Sequence, residues 1–264
     1  MTLAFSRVRF VMVQPSHPGN VGSAARAIKT MGFSELVLVE PRFEAMHTLP
    51  EAIALASGAN DVLESTQIFD TLEAALAPVT LACALTARSR DLGPPSGDIR
   101  TTANIALAHL NTYPEGGVAI VLGTERAGLT NAQIEQCHRI CHIPANPEYS
   151  SLNVAQAMQL AAWELRYAFN QRQESAQAPA APAAAALQRG EQPASGEATA
   201  ALLTHWEEAL ISVGFLDPAH PKKLMPRMRH LFGRNGLTRD EVDMLRGVCT
   251  AMISAARPRK KSNE

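Results

Sequence analysis

The sequence predicts an α/β domain on a mostly parallel sheet, followed by a small all-α domain. Three observations point there. From Arg7 to Asn170 short apolar runs alternate with helical patterns, as βαβ units do. A stretch rich in Ala, Pro, Gln and Ser interrupts the pattern over residues 171–199 and reads as a linker. Beyond it, residues 200–256 show only helical patterns, broken at Phe215–Pro221 and Phe232–Thr238. The domains expected are therefore 1–170 and 200–264.

The elements follow in order. Arg7–Gln14 alternates and then turns apolar, which predicts a strand. Pro15, Pro18 and Gly19 make the next residues a loop. Val21–Met31 is a predicted helix, with Asn20 as N-cap and Gly32 just past its end. Glu35–Glu40 is a short apolar strand, Pro50–Ala59 a helix, Asp61–Ile68 a strand and Thr71–Ala77 a short helix. Val79–Ala87 is strand-like and Arg88–Pro95 a loop. Helix Thr101–Leu110, strand Gly117–Leu122, helix Thr130–Cys137 and strand Arg139–Ile143 come next. A loop at Pro144–Ser150 opens a long helix, Leu152–Asn170, for which Ser150 or Ser151 is the expected cap.

Composition bounds the function. At 264 residues and 46% apolar, the chain can build a real core, which excludes wholesale disorder. Part of that figure is misleading, because 11 of the 44 alanines lie between Gln171 and Ala200. No apolar run approaches the roughly 20 residues of a membrane span, and the N-terminus carries no signal-peptide pattern. A soluble, cytoplasmic protein is expected. Four cysteines are too few for a disulfide scaffold. The net charge of −1 argues at first against a nucleic-acid partner. Split at residue 220, it becomes −8 before and +7 after, so a basic C-terminal end is hidden in a neutral total.

Three loops carry unusual residues, each directly after a strand. The first, Pro18–Arg26, holds Asn20, Gly22 and Arg26, with Gly22 and Arg26 one helical turn apart. A glycine inside a helix costs about 1 kcal/mol against alanine, so something is expected to approach that backbone closely. The plain alternative is a capped surface helix with solvated cations. The second, Leu122–Leu129, brackets Glu125-Arg126 between Gly123 and Gly128, and Gly123 would let a ligand lie against the backbone. Its plain alternative is a turn with a solvated ion pair. The third, Ile143–Asn153, is stiffened by Pro144 and Pro147 and ends in Ser150-Ser151-Leu152-Asn153. Capping alone would explain one of its hydroxyls.

Sharper motifs are missing. The sequence has no dinucleotide fingerprint, no phosphate-loop motif and no G-x-S-x-G serine. Cys137-His138-Arg139-Ile140-Cys141-His142 has the wrong spacing for haem and no second pair for zinc, so no metal is expected. In Pro221–Phe232, Leu224, Met228, Leu231 and Phe232 fall at helical spacing as candidate core. Lys222, Lys223, Arg227 and Arg229 then form the other face. Together with the basic run at residues 257–261 they suit phosphate contact, the alternative being a solvated face.

Taken together, the three loops resemble the SpoU, or SPOUT-class, RNA 2′-O-ribose methyltransferases. The resemblance covers residues 7–170 and rests on Asn20–Arg26, Leu122–Leu129 and Ile143–Asn153 in that order and strand context. The C-terminal stretch from Phe215 through Pro221–Met225 to Gly247 resembles the helical domain of the bacterial TrmJ branch, tRNA (cytidine/uridine-2′-O-)-methyltransferases. Two positions depart from the pattern: Thr124, where relatives often carry Asn or Arg, and Ser150, where Gly is common.

The resemblance implies a SPOUT-type sheet with a C-terminal trefoil knot, a rare exception to the rule against threaded chains. It implies S-adenosyl-L-methionine as cofactor, a homodimer with the site near the subunit interface, and tRNA as partner, at the ribose of position 32 in the anticodon loop. It places Arg26, Asn20, Glu125, Ser151 and Asn153 in catalysis, Glu125 shaping the second loop or pairing with Arg26. It places Thr86, Ala87, Arg88, Leu122, Gly123, Ile143, Ser151 and Leu152 around the cofactor. Arg88, Lys222, Lys223, Arg227 and Arg229 would contact RNA. Two other readings stay open: the same chemistry on ribosomal RNA or another tRNA position, and an RNA-binding protein that keeps the fold without catalysis.

Overall fold

The computed structural model describes residues 2–88, 93–175, 192–233 and 236–256. After a single helical turn, α1 (Thr2–Phe5), the chain alternates β1 (Val8–Val13), α2 (Pro18–Thr30) and β2 (Glu35–Val39). Next come α3 (Pro50–Ala56), α4 (Asn60–Glu64), β3 (Gln67–Phe69), α5 (Leu72–Leu76) and β4 (Leu81–Leu85). They are followed by β5 (Ser96–Asp98), α6 (Ile99–Thr112), β6 (Val118–Leu122), α7 (Asn131–Ile134), β7 (Arg139–His142) and α8 (Val154–Ser175). Among the described residues three further helices follow: α9 (Gly196–Ser212), α10 (Leu224–Gly233) and α11 (Arg239–Ala256).

The seven strands form one sheet in the order β3-β2-β1-β6-β4-β7-β5, and every pairing is parallel. Val11 sits opposite both Val37 and Val121. The central strands β4 and β6 are buried along their whole length, which is why they read as continuous apolar runs. Alternate residues feed two cores. Phe10, Met12 and Ile120 pack under α2, α6 and α8, whereas Val11, Val13 and Val121 pack under α5 and α7. Strand β6 is laid between β1 and β4, and β7 between β4 and β5, each inserted beside strands formed earlier in the chain.

Gly22 lies inside α2, and the close approach predicted there is another helix. A Cβ at this position would stand 2.0 Å from the Ala52 carbonyl oxygen on α3. The backbones of α2 and α3 touch because residue 22 has no side chain.

Several predicted elements are corrected. Residues 61–68 are not one strand: α4 occupies Asn60–Glu64, and only Gln67–Phe69 pairs. Helix α2 starts two residues before Asn20, at Pro18, whose fixed φ suits a first helical turn; Asn20 is therefore no N-cap. Strand β5 lies within a segment that carries no apolar run, and it pairs with β7 through residues 96–98. Both ends of the expected linker are helical, since α8 runs to Ser175 and α9 begins at Gly196, capped by the Ser195 hydroxyl. Residues 176–191 and the basic run 257–261 lie outside the described residues.

In the C-terminal part α9 packs on α11 through Leu202, Ala209, Val242 and Cys249. Helix α10 is not the core helix that its spacing predicts. Leu231 is 50% exposed, no residue of α10 is fully buried, and its firm contact is the edge of Trp206 on Phe232. This part docks on the sheet domain through its backbone. Gly196 and Glu197 donate their amides to the carbonyls of Val79 and Ala77, at 2.9 and 3.3 Å. The seam lies before β4, at the N-terminal ends of the strands.

Candidate functional site

A cleft opens at the opposite end of the sheet, where β4, β6 and β7 end. Its walls include Thr86, Ala87 and Arg88 after β4, Leu122 and Gly123 through Arg126 after β6, and Ile143 with Ser150, Ser151 and Leu152 after β7. All eight residues expected around a cofactor are brought together here. Leu85, Val154 and Ala157 add apolar lining that the motifs did not mark. Ligands of open parallel sheets bind at this end, where loops diverge from the strand termini.

The wall is shaped from within the chain. Thr86 is nearly buried; its amide donates to the Cys141 carbonyl at 3.0 Å and its hydroxyl accepts the Arg88 amide at 3.2 Å. The loop after β6 closes on itself, with the Gly128 amide 2.9 Å from the Thr124 carbonyl and Gly128 at φ +64°. A Cβ on Gly123 would stand 2.1 Å from the Gly128 carbonyl carbon. The returning loop thus packs directly on Gly123, which also lines the cleft.

Glu125 is the hub of a brace that joins all three loops. Its carboxylate accepts the Ser16 amide at 3.1 and 3.2 Å, the Ser16 hydroxyl at 2.8 Å, the His17 amide at 3.3 Å and the Asn20 side-chain amide at 3.0 Å. Burial pushes the Glu125 pKa up, but the hydrogen bonds from Asn20 and Ser16 outweigh it, and the net value lies below the ordinary carboxylate range. Asn20 Oδ1 in turn accepts from Asn153 Nδ2 at 2.9 Å. Asn153 Oδ1 accepts the amides of Ala155 and Gln156 at 2.9 and 3.4 Å, so Asn153, and neither serine, caps α8.

This arrangement corrects the expected pairing of Glu125 with Arg26. The carboxylate is spent on residues 16–20, and Arg26 is exposed on α2 with no side-chain hydrogen bond or ion pair among the described residues. Gly22 is packed against α3, whereas Arg26, one turn further along the same helix, is exposed. Ser16 is the member of this brace that motif reasoning missed. Its signal was its place between Pro15 and Pro18 in the first loop.

The basic residues of the helical part divide. Lys222, Lys223 and Arg227 are exposed, whereas Arg229 is half-buried in a crevice it shares with Glu73 and Glu135 of the sheet domain. Cys137 and Cys141 are buried free thiols, and burial pushes both well above the ordinary value. Among the described residues, no group of three or more His, Cys, Asp or Glu side chains could hold a metal ion, and no helix is long and apolar enough to cross a membrane.

Comparison with known proteins matches this geometry to a family. Residues 7–163, more than half of the chain and all three loops, match the SpoU rRNA methylase family. The chain belongs to the SpoU methylase family. Within it, residues 197–261 match the C-terminal domain of the tRNA methyltransferase TrmJ. The tRNA (cytidine/uridine/adenosine-2′-O-)-methyltransferase TrmJ of Pseudomonas aeruginosa is 40% identical over 253 residues, 95% of each chain. The tRNA (cytidine/uridine-2′-O-)-methyltransferase TrmJ of Klebsiella pneumoniae is 41% identical over 246 residues, 93% of this chain and 96% of that one. Among solved structures, TrmJ from Z. mobilis superposes with a TM-score of 0.77 at 31% identity, over 92% of this chain and 98% of that chain. A probable methyltransferase from Bordetella pertussis is 77% identical over 64% of this chain and 99% of its own, with a TM-score of 0.61. As a SpoU methylase the chain is an RNA methyltransferase.

Proposed function

We propose that the chain transfers a methyl group from S-adenosyl-L-methionine to the ribose 2′-hydroxyl of cytidine or uridine at position 32 of the tRNA anticodon loop. The observation that carries this reading is the cleft at the strand C-termini, walled by the second and third family loops and the residues after β4, and braced to the first loop through Glu125, Asn20 and Asn153. The lining fits the cofactor. Leu85, Leu122, Ile143 and Val154 offer apolar surface to an adenine, and Thr86, Ser150 and Ser151 offer hydroxyls, without the glycine-rich phosphate cradle a nucleotide would need.

S-Adenosylmethionine supplies an electrophilic sulfonium methyl. The residues of the chain then have to orient the 2′-oxygen in line with it and help its proton leave. Glu125 is a poor base for that proton, because its lone pairs are committed to Ser16, His17 and Asn20 and its pKa is held down. Arg26, with its guanidinium free, stabilises the developing 2′-oxyanion and grips the neighbouring phosphate. Asn20, Ser151 and Asn153 keep the loops, and through them the ribose, in place.

The wider family expectations belong to the same proposal. The insertion of β6 and β7 between earlier strands supports a threaded, knotted C-terminal passage in residues 1–170. On α8, Leu160, Trp163 and Tyr167 lie exposed along one side, with the two rings stacked at 6.3 Å, which supports a homodimer through that helix. The helical part, residues 200–264 in the expected division, holds RNA through Lys222, Lys223, Arg227 and Arg229, with Arg88 at the cleft. The enzyme works in the cytoplasm, on tRNA. Labelled S-adenosylmethionine, unmodified tRNA and ribosomal RNA, followed by mapping of ribose methylation, test the reading. Label at position 32 is expected. Label elsewhere would point to another RNA target, and no label in any RNA would leave a binding protein.

A further inference from the structure

We propose that Tyr149 is a stacking platform for an unpaired nucleobase beside the methylated ribose. The inference rests on the RNA methyltransferase reading above. Tyr149 is 80% exposed, the most open large hydrophobic side chain among the described residues. A ring so exposed is unusual, because its apolar faces stay in water when burial would stabilise them.

Its exposure does not come from a slack loop. The Glu148 amide donates to Asn146 Oδ1 at 3.1 Å, and the Tyr149 amide donates to the Asn146 carbonyl at 2.9 Å. Pro144 and Pro147 fix two φ angles in the same segment. Four residues on, Asn153 ties the loop end to Asn20 at 2.9 Å. The backbone is therefore held at both sides of a ring that stays 80% exposed. Ser150 and Ser151, directly after it, line the cleft, and Arg126 stands exposed on the facing loop.

This is the chemistry that grips single-stranded RNA. Loop nucleotides offer unstacked bases, and aromatic side chains bind their π-faces with little regard to base identity. A cation on the facing wall suits the phosphate between two such nucleotides. Stacking one base at Tyr149 would fix the adjacent ribose over the cleft without reading its base. The residue would then contribute to RNA affinity and not to cofactor binding.

The test compares Tyr149→Phe, Tyr149→Leu and Tyr149→Ala in the full chain, after their melting temperatures are shown to match the parent. The KM for tRNA is expected to rise about tenfold in the Leu and Ala variants and to stay within twofold in Phe, with cofactor Kd unchanged in all three. In tRNA carrying 2-aminopurine next to the target nucleotide, the parent and Phe proteins are expected to quench its fluorescence, and the Ala protein to leave it. Parental KM and quenching in the Ala variant would overturn the inference. So would an equal loss in Phe, which would assign the effect to the hydroxyl, or conversion of a dimer to a monomer by Ala in light scattering, which would assign the ring to a subunit contact. Absence of ribose methylation by the parent protein would instead sink the underlying reading, so the two failures are distinguishable.

Discussion

Asn153 Nδ2 donates to Asn20 Oδ1 across 2.9 Å, joining two loops 133 residues apart in the chain. The Asn20 amide group is used at both ends, since its nitrogen donates to Glu125. Glu125→Gln is expected to weaken the brace at Ser16 and His17, where the carboxylate accepts three amide or hydroxyl protons per two oxygens. A loss of about 1–3 kcal/mol in unfolding free energy follows from hydrogen bonds to a charged group. Methyl transfer should fall at least tenfold. Chemical denaturation and initial rates measure both. Because the folded carboxyl lies below its ordinary value, its contribution is present above the ordinary carboxylate range and is lost as pH falls through the folded value. The brace should therefore hold at neutral pH and open only in acid.

Arg26→Ala is expected to abolish turnover while cofactor affinity stays within a few fold. Among the described residues the guanidinium has no partner to lose, so the fold should melt at the parental temperature. Calorimetric cofactor titration beside a single-turnover assay separates the two effects. Parallel loss of cofactor binding and turnover would remove Arg26 from the reaction.

The sequence made the three loops legible because each breaks the local pattern: a glycine inside a helix, two glycines around a charged pair, two prolines before a helix. It did not make their partners legible. Gly22 and Gly123 read as places where something comes close, yet what comes close is Ala52 in one case and Gly128 in the other. Such contacts depend on tertiary approach, which local spacing does not encode. Ser16 stayed hidden because a hydroxyl between prolines is ordinary loop chemistry until Glu125 is placed 2.8 Å away. The seven-stranded order was equally out of reach, since periodicity marks β6 and β7 as strands but says nothing of where they insert.

Gly22→Ala tests the helix contact directly. The new methyl would lie 2.0 Å from the Ala52 carbonyl oxygen, and backbone atoms on both sides must move. Helix propensity alone would favour alanine by about 1 kcal/mol, whereas overpacking costs about 1–3 kcal/mol or more. The clash with backbone should win, and Gly22→Ala should unfold at lower denaturant than the parent. An increase in stability would show that α3 yields easily.

Two histidines near the seam set an acid limit. Burial pushes His138 down to about 4, and burial, with His138 and Arg7 nearby, pushes His109 to about 4. His138 Nδ1 accepts the Ala82 amide at 2.9 Å, a bond that only the unprotonated nitrogen can make. The unfolded chain takes up these protons near 6.5, before the folded one does. Stability is thus fully present above 6.5 and is lost progressively as pH falls toward 4. His109→Gln, which can keep the hydrogen bond to Thr80, should flatten that slope in denaturation series across the window.

Gly196→Val tests whether the helical part is held rather than tethered. A Cβ at Gly196 would meet the Leu76 carbonyl oxygen at 2.6 Å, just where the amides of residues 196 and 197 bind Val79 and Ala77. The substitution should pry α9 off the strand N-termini without touching the cleft, which lies a strand length of roughly 17 Å away. Proteolysis around residues 192–197 should quicken. Affinity for tRNA should fall several-fold, because two docked surfaces at fixed spacing act on one RNA at a higher effective concentration than two tethered ones. Cofactor Kd should not change. Faster proteolysis with unaltered tRNA affinity would mean that the helical part grips RNA equally well when loose, and that docking serves stability alone.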